Sequence, residues 1–589
     1  MHLPVCSWLT FCLVIVHISV SDAETFSSIQ SITESFRHEA KMMSEIYDSL
    51  QQVSPGNDTY GVTQFRMFIN DTKRFFEQFK DEEHVETYLK HPINIYHFIR
   101  RCAVEWVKRT LPLIKAQDAT ISNIYEKLKT TFDEDRLWPR REDLVGVSLS
   151  LIRLQVTYLL DFKELATGTL NGTKTDPLTV DELHEIAMVA LEKWKPKKAI
   201  LWLNETAQII RDGDDFRYAF IYLYRFHRQM AEIHEKFGDY ETAVRVAKEL
   251  VAFDPANVAA TNYLASLKEK AGALQSLALT DKSAKSDTKY EALCRGDLEK
   301  PPAEVKELKC YFRRSAIPYR PTKVELINLT PEMLIYHDII YKDEIDRIKE
   351  FSKQHLKRSK ITTMAEDGID TSDMRVSRHA WFNIKDSTME KVYRRVEEIT
   401  GLGTELNSVA DHPYNEDMQV VNYGPGGFYT PHHDFFYPPD HHIAWDTLLD
   451  DDRYATLLFY LEDVHIGGAT AFPTAEARVP AVKGSAAFWW NMHRNGTSDA
   501  RTLHAGCPVQ IGSKWIVTNY QPPAHPKSPW IWTSVFDRAQ PNVNPYPILL
   551  GTDLLASWPT RASAIYRRNC CFPQNEMAGV LHSQSLRVA

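Results

Sequence analysis

The spacing of apolar residues changes period once along this chain, and that change limits the folds open to it. Up to about residue 271 the apolar positions recur at helical intervals. From about residue 325 they fall into short β-type runs at 418–423, 454–461, 485–491 and 514–520. Turn clusters such as Gly424-Pro425-Gly426-Gly427 and Gly467-Gly468 separate these runs. Short strands punctuated by glycine predict a sandwich or jelly-roll. At 589 residues the chain exceeds what one core can organise, so the expectation is a multidomain α+β protein. Its order is an all-α N-terminal and tetratricopeptide-like helical region followed by a double-stranded β-helix (jelly-roll) domain.

The boundaries follow from composition. Residues 1–23 read as a secretory signal, because the apolar run from Leu9 to Val20 is too short to span a bilayer and small residues follow it. Residues 24–140 form a helical N-terminal region. Ile29, Ile32, Phe36, Met43, Ile46 and Leu50 step along it by three and four, with Glu39 as the one break. That stripe suits either a dimer seam or an ordinary amphipathic helix. In 141–271, Ala187 and Ala199 are twelve apart, as are Ala231 and Ala243, and Gly238-Asp239-Tyr240 and Asp254-Pro255 complete the spacing of a tetratricopeptide helix pair. Thr179-x-x-Glu182 is a capping box. Phe216, Tyr218, Phe220, Tyr222, Tyr224 and Phe226 alternate along one helix, which spreads them around its axis, some into the core and some toward a groove. Residues 272–324 are a linker, 325–525 the jelly-roll, and 526–589 a tail that fits no pattern.

A net charge of −9 argues against a general nucleic-acid binder, and no stretch after the signal is apolar enough to cross a membrane. Acceptors for N-glycosylation at Asn57, Asn70, Asn171, Asn204, Asn328 and Asn495 fit a lumenal route. Cys102, Cys294, Cys310, Cys507, Cys570 and Cys571 remain after the signal and show no zinc spacing. Cys294 and Cys310 are the nearest plausible disulfide pair. The C-terminus carries no lumenal retention signal.

The chemistry gathers on His432 and Asp434. They form the only His-x-Asp in the chain, and two residues apart on a strand means one face. With a distant histidine, His504, they make a 2-His-1-carboxylate set that suits iron(II) and leaves open positions for 2-oxoglutarate and oxygen. Lys514 lies ten residues after His504 and keeps its parity if the strand continues or turns cleanly; its ammonium would hold the distal carboxylate of 2-oxoglutarate. His433 should point away from the ligands, and His441, His442 and His493 read as surface residues.

Several strings together resemble the α subunit of collagen prolyl 4-hydroxylase: Asn422-Tyr423-Gly424, Pro431-His432-x-Asp434-Phe435, Gly467-Gly468-Ala469-Thr470-x-Phe472-Pro473, Phe488-Trp489-x-Asn491, His504-Ala505-x-Cys507-Pro508 and Gly512-x-Lys514-Trp515. Arg375-Val376-Ser377 and Tyr290-Glu291-x-Leu293-Cys294 add to the likeness. The resemblance implies that His432, Asp434 and His504 bind iron(II), that Lys514 and Tyr423 bind 2-oxoglutarate, and that L-ascorbate keeps the metal reduced. It implies procollagen Xaa-Pro-Gly sequences as substrate, a helical repeat domain that binds peptide, and dimerising N-terminal helices. It also implies a protein disulfide isomerase β subunit in an α2β2 tetramer, held in the endoplasmic reticulum lumen. Lys514, where the related lysyl hydroxylases use arginine, favours the prolyl class. Two departures stand out. Pro196-Lys197 replaces adjacent tyrosines at the repeat turn, and the sequence after Trp515 differs, which removes the expected partner of Cys507. A catalytically idle collagen-binding scaffold and a hydroxylase of non-collagen proline-rich proteins are the other readings.

Overall fold

The computed structural model describes residues 25–521 apart from internal stretches, the longest being 274–287, 360–373, 403–415 and 437–451. The expected signal, the tail, His441, His442, Cys570 and Cys571 lie outside the described residues.

The first helix, Ile29–Gln51, buries its apolar stripe within its own chain: Ile32, Phe36, Met43, Ile46 and Leu50 are all at most 3 % exposed. Phe36 meets Phe75, Phe76, Phe79, Tyr88 and Phe98 edge-on or tilted, with ring centroids 5.0–6.1 Å apart. Of the two readings of this stripe, the structure has the amphipathic helix. Glu39, the break in the pattern, is fully buried and fully bonded. Its carboxylate accepts from Arg101 Nε at 2.7 Å, Arg101 Nη2 at 2.6 Å and Trp106 Nε1 at 2.7 Å. A buried carboxylate is tolerated only when paired and hydrogen-bonded in this way.

Helices Val180–Glu192, Pro196–Asp212, Phe216–Lys236, Tyr240–Phe253 and Val258–Ala273 pack one on the next. The capping box at Thr179 and Glu182 forms as expected. Ala187, Ala199, Ala231 and Ala243 are fully buried, small residues that let successive helices approach. The aromatic string divides around its helix: Phe226 is buried and stacked on His184, Tyr222 and Tyr224 are half-buried, and Phe220 is exposed. The region is not wholly helical, because Asn171-Gly172, both at positive φ, turn a small hairpin of Thr169–Leu170 with Thr173–Lys174.

Among the described residues two large antiparallel sheets follow, with a small two-stranded one of Ile466–Gly467 and Val509–Ile511 beside them. The larger runs Cys310–Arg313, Thr322–Asn328, Met333–His337, Ala486–Trp490, Ala455–Tyr460, Lys514–Gln521, Met418–Tyr423, Arg378–Phe382 and Lys357–Arg358 in spatial order. The smaller runs Ala477–Val479, Thr470–Phe472, His504–Gly506, Phe428–His432 and Arg375–Val376. The larger sheet begins at Cys310, inside the stretch expected to be linker. Of the expected glycan acceptors, Asn70, Asn171 and Asn204 are exposed, whereas Asn328 is buried and donates to the Pro331 carbonyl.

The helices and sheets share a core. Val376, Phe428 and Ile511 belong to the apolar cluster of the N-terminal helices. Ser28, at the N-cap position of the first helix, spends its hydroxyl on Asn422 Oδ1 at 2.6 Å instead of capping the helix. The Ser27 carbonyl accepts from Gly424 N at 3.0 Å. Arg153 donates to the Gly426 carbonyl at 3.1 Å and lies 3.7 Å from the centre of the Phe428 ring. Gly426, at φ +79°, approaches so closely that a Cβ there would sit 2.5 Å from that of Ser150.

The expected Cys294–Cys310 disulfide is not formed. Cys294, on the helix Thr288–Arg295, bonds Cys507, at a sequence separation of 213. Sequence proximity misled here because Cys310 sits on a strand of the larger sheet, whereas Cys294, Cys507, Ala469 and Ala471 are buried together beside the smaller one. This bond also supplies the partner of Cys507 that the altered tail left open.

Replacing Glu39 by alanine strands the Arg101 guanidinium in the core and should lower the unfolding free energy by about 3–5 kcal/mol; chemical denaturation followed by far-ultraviolet circular dichroism reads this. Non-reducing peptide mapping should recover Cys294 and Cys507 in one linked peptide, and an unlinked pair would contradict the fold at that corner.

Candidate active site

The strand Phe428–His432 pairs with His504–Gly506 in a register that sets His432 opposite His504. The strand ends at His432, and Asp434 follows in the bend, where the alternation of sides still turns it inward: Asp434 is 4 % exposed. One ligand atom from each of His432, Asp434 and His504 lies within 4.8 Å of the others. His432 Nε2 is 3.8 Å from Asp434 Oδ1, and His504 Nε2 is 3.5 Å from Asp434 Oδ2.

Backbone carbonyls aim both rings. Nδ1 of His432 is 2.8 Å from the Thr430 carbonyl, and Nδ1 of His504 is 3.0 Å from that of Thr502. A carbonyl can only accept, so each Nδ1 carries a proton and each ring turns its Nε2 toward Asp434. The His432 ring stacks on Tyr429 with centroids 3.6 Å apart, and His504 lies against Trp489 and Phe472 at 4.8 and 5.6 Å. Burial, and then the neighbouring His504, push the His432 imidazole down to about 3, which keeps it neutral. Burial alone would raise the Asp434 carboxyl; His504, His432 and Arg453 outweigh it and hold that group below its ordinary value, as a carboxylate. Two imidazoles and one carboxylate, converging in a buried corner, fit a divalent metal such as iron(II).

Lys514 is not on a continuation of the His504 strand. Two turns separate them, and Lys514 starts a strand of the larger sheet, so the parity argument from sequence fails. It nevertheless faces the smaller sheet: Nζ is 3.5 Å from Thr470 Oγ1, and Thr470 pairs with Gly506 beside His504. Tyr423 is the direct cross-strand partner of Lys514, and its ring centre is 5.7 Å from Nζ. The amine is 2 % exposed, no carboxylate lies within ion-pair distance among the described residues, and burial pushes it down to about 7. Such a site is built to receive an anion. His433 turns outward as expected, its Nε2 3.1 Å from the Ala500 carbonyl, and His493 is at the surface.

Two residues near the ligands, Arg453 and Thr456, stand in no motif of the sequence. Arg453 bonds Glu416 through two contacts of 2.5 and 2.7 Å, reaches the Asp434 carbonyl at 3.5 Å and lies 3.6 Å from the centre of the Tyr520 ring. Thr456 donates to Asp434 Oδ2 at 2.7 Å. Both meet partners 19–37 residues away along the chain, which a linear spacing does not display.

The model of the 2OG-Fe(II) oxygenase superfamily matches residues 418–521, the span that carries His432, Asp434, His504 and Lys514, and that of the prolyl 4-hydroxylase alpha-subunit N-terminal region matches 60–172. Human prolyl 4-hydroxylase subunit alpha-1 is 31 % identical over 462 residues, covering 73 % of this chain and 82 % of that protein. The chain belongs to the prolyl 4-hydroxylase alpha-subunit family. Chicken subunit alpha-2 is 29 % identical over 526 residues, 84 % of this chain and 92 % of the relative, and the Caenorhabditis elegans alpha-2 subunit is 29 % identical over 483 residues, 77 % and 85 %. Among solved structures, a viral collagen prolyl hydroxylase from Paramecium bursaria Chlorella virus 1 covers 33 % of this chain and 96 % of its own, at 23 % identity and a TM-score of 0.25. As a member of the family the chain is an iron(II)- and 2-oxoglutarate-dependent dioxygenase that hydroxylates proline.

The lowered value at Lys514 makes stability depend on pH. Between about 7 and the ordinary lysine value the unfolded chain binds a proton that the folded chain does not, so stability rises with pH across that window, on the order of 1.4 kcal/mol per unit. Denaturation of the co-substrate-free protein from pH 7 to 10 should show this rise, and Lys514→Met should flatten it.

Proposed function

We propose that this chain is a procollagen-proline 4-dioxygenase subunit in which His432, Asp434 and His504 hold iron(II) and Lys514 holds the distal carboxylate of 2-oxoglutarate. The observation that carries the reading is the buried, otherwise anion-free Lys514 ammonium on one sheet facing the His432–Asp434–His504 corner on the other. Two antiparallel sheets opposed in this way support the double-stranded β-helix reading. Bound iron(II) and 2-oxoglutarate supply the activation of dioxygen that oxidises a proline C–H bond.

The chain's own residues do the positioning. Thr430 and Thr502 carbonyls fix the direction in which the two imidazoles point. Tyr423, buried beside Lys514, offers its phenol to the co-substrate. Trp489, Phe472 and Tyr429 wall the ligands from water, which raises the strength of each charge interaction inside. The five packed helices from 180 to 273 are read as a tetratricopeptide-like module for proline-rich peptide, with exposed Phe220 and half-buried Tyr224 on one helix as candidate groove residues. L-ascorbate as reductant, a protein disulfide isomerase β subunit as partner and the endoplasmic reticulum lumen as location complete the proposal.

Co-expression with a protein disulfide isomerase, followed by assay with iron(II), ascorbate and a Pro-Pro-Gly repeat peptide, tests the reading. Succinate and 4-hydroxyproline should form in equal amounts, and His504→Ala should lower turnover by at least about a thousandfold. Peptide binding without succinate would favour an idle scaffold, and hydroxylation only of peptides lacking glycine after proline would favour a non-collagen substrate.

A further inference from the structure

Asp434 has its carboxylate held by a two-residue relay that comes from the other sheet. Thr456 Oγ1 donates to Asp434 Oδ2 at 2.7 Å, and Asn491 Nδ2 donates to Thr456 Oγ1 at 2.9 Å. All three groups are buried, Thr456 and Asn491 completely. The direction of the relay is fixed by donor count. An ionised carboxylate only accepts, so the single hydroxyl proton of Thr456 must point at Asp434, and the free lone pair of that hydroxyl must accept from the Asn491 amide. Asn491 is itself pinned through its backbone on both sides: its N–H bonds the Tyr454 carbonyl at 2.7 Å, and its carbonyl accepts from Asp499 N at 2.8 Å. Thr456 is fixed on a strand paired with both neighbours, opposite Trp489 and Tyr520.

We propose that Thr456, oriented by Asn491, is a positioning residue that makes Asp434 a one-oxygen ligand. The proposal rests on the reading of Asp434 as an iron ligand. With Oδ2 engaged by the hydroxyl, the carboxylate plane is set and Oδ1 is left for the metal, since among the described residues no donor reaches Oδ1. The consequence is functional. A carboxylate free to rotate can bind through both oxygens and occupy a position that a facial triad must keep open for the keto acid and oxygen. Partners beyond the ligands commonly tune affinity in this way.

The test uses the full chain, stripped of metal and titrated without oxygen with Mn(II), followed by calorimetry and electron paramagnetic resonance. Thr456→Val keeps the shape and removes the donor; it should weaken Mn(II) binding by about 10–100-fold and weaken 2-oxoglutarate binding to the Mn(II)-loaded protein. Thr456→Ser should restore both to within about threefold, by the same logic of retained donor. Asn491→Leu leaves the hydroxyl in place but frees it to turn, and should fall between wild type and Thr456→Val; it also keeps the inference testable if Thr456→Val does not fold. Asp434→Ala is the control. If it abolishes Mn(II) binding while Thr456→Val and Asn491→Leu bind as wild type, the relay has no positioning role and this inference is overturned, with the ligand set intact. If Asp434→Ala itself binds as wild type, the ligand reading fails and takes this inference with it.

Discussion

One cross-strand register decides whether this chain has a site at all. His432 faces His504 because the strand Phe428–His432 pairs antiparallel with His504–Gly506, with an irregularity between Tyr429 and His432 that absorbs the change of spacing. Strand side chains alternate, so a slip of one residue would send His432 outward and put Pro431 or His433 in its place. The irregularity lets Tyr429 pair with Gly506 and still bring the two imidazoles level. Everything else at the site presupposes that register, from the carbonyl contacts that aim the rings to the reach of Asp434.

The register is in turn buttressed by the helices. Phe428, at the start of the His432 strand, belongs to the core of the N-terminal helices and carries Arg153 on its ring. The neighbouring glycines take backbone contacts from Ser27 and Arg153, and Asn422, next to Tyr423, is bonded to Ser28. The helical and catalytic regions are therefore not independent bodies joined by a linker. The first helix and the helix Arg141–Tyr158 are part of the wall behind the site.

What could be read from the sequence follows the range of the interaction. His432-x-Asp434 is local, and strand alternation is enough to read it. The change of period near the sheets, the Thr179 capping box and the division of the aromatic string are local too, and all three appear in the fold. The strand parity of Lys514 with His504 does not carry across the two turns between them, so its place at the site is legible only through the likeness of Gly512-x-Lys514-Trp515 to a known family. Glu39 looked like a flaw in an apolar stripe because its partners, Arg101 and Trp106, lie more than sixty residues away. Thr456 and Arg453 were silent for the same reason. The cysteine pairing went wrong where nearness along the chain was used as a substitute for nearness in space.

That cysteine pair also bears on how the molecule is assembled. Cys507 lies three residues past His504, while Cys294 precedes every strand of the two large sheets, so the bond closes a loop of 213 residues around nearly the whole catalytic region. Tethering so long a loop restricts the denatured chain by an amount worth about 5 kcal/mol in the chain-entropy view. In the fold the two sulfurs are brought together beside the His504 strand, so the bond ties the helix Thr288–Arg295 to the smaller sheet. A chain that carries this bond therefore has the two ends of its catalytic region tied to one another covalently, whatever the sheets between them do.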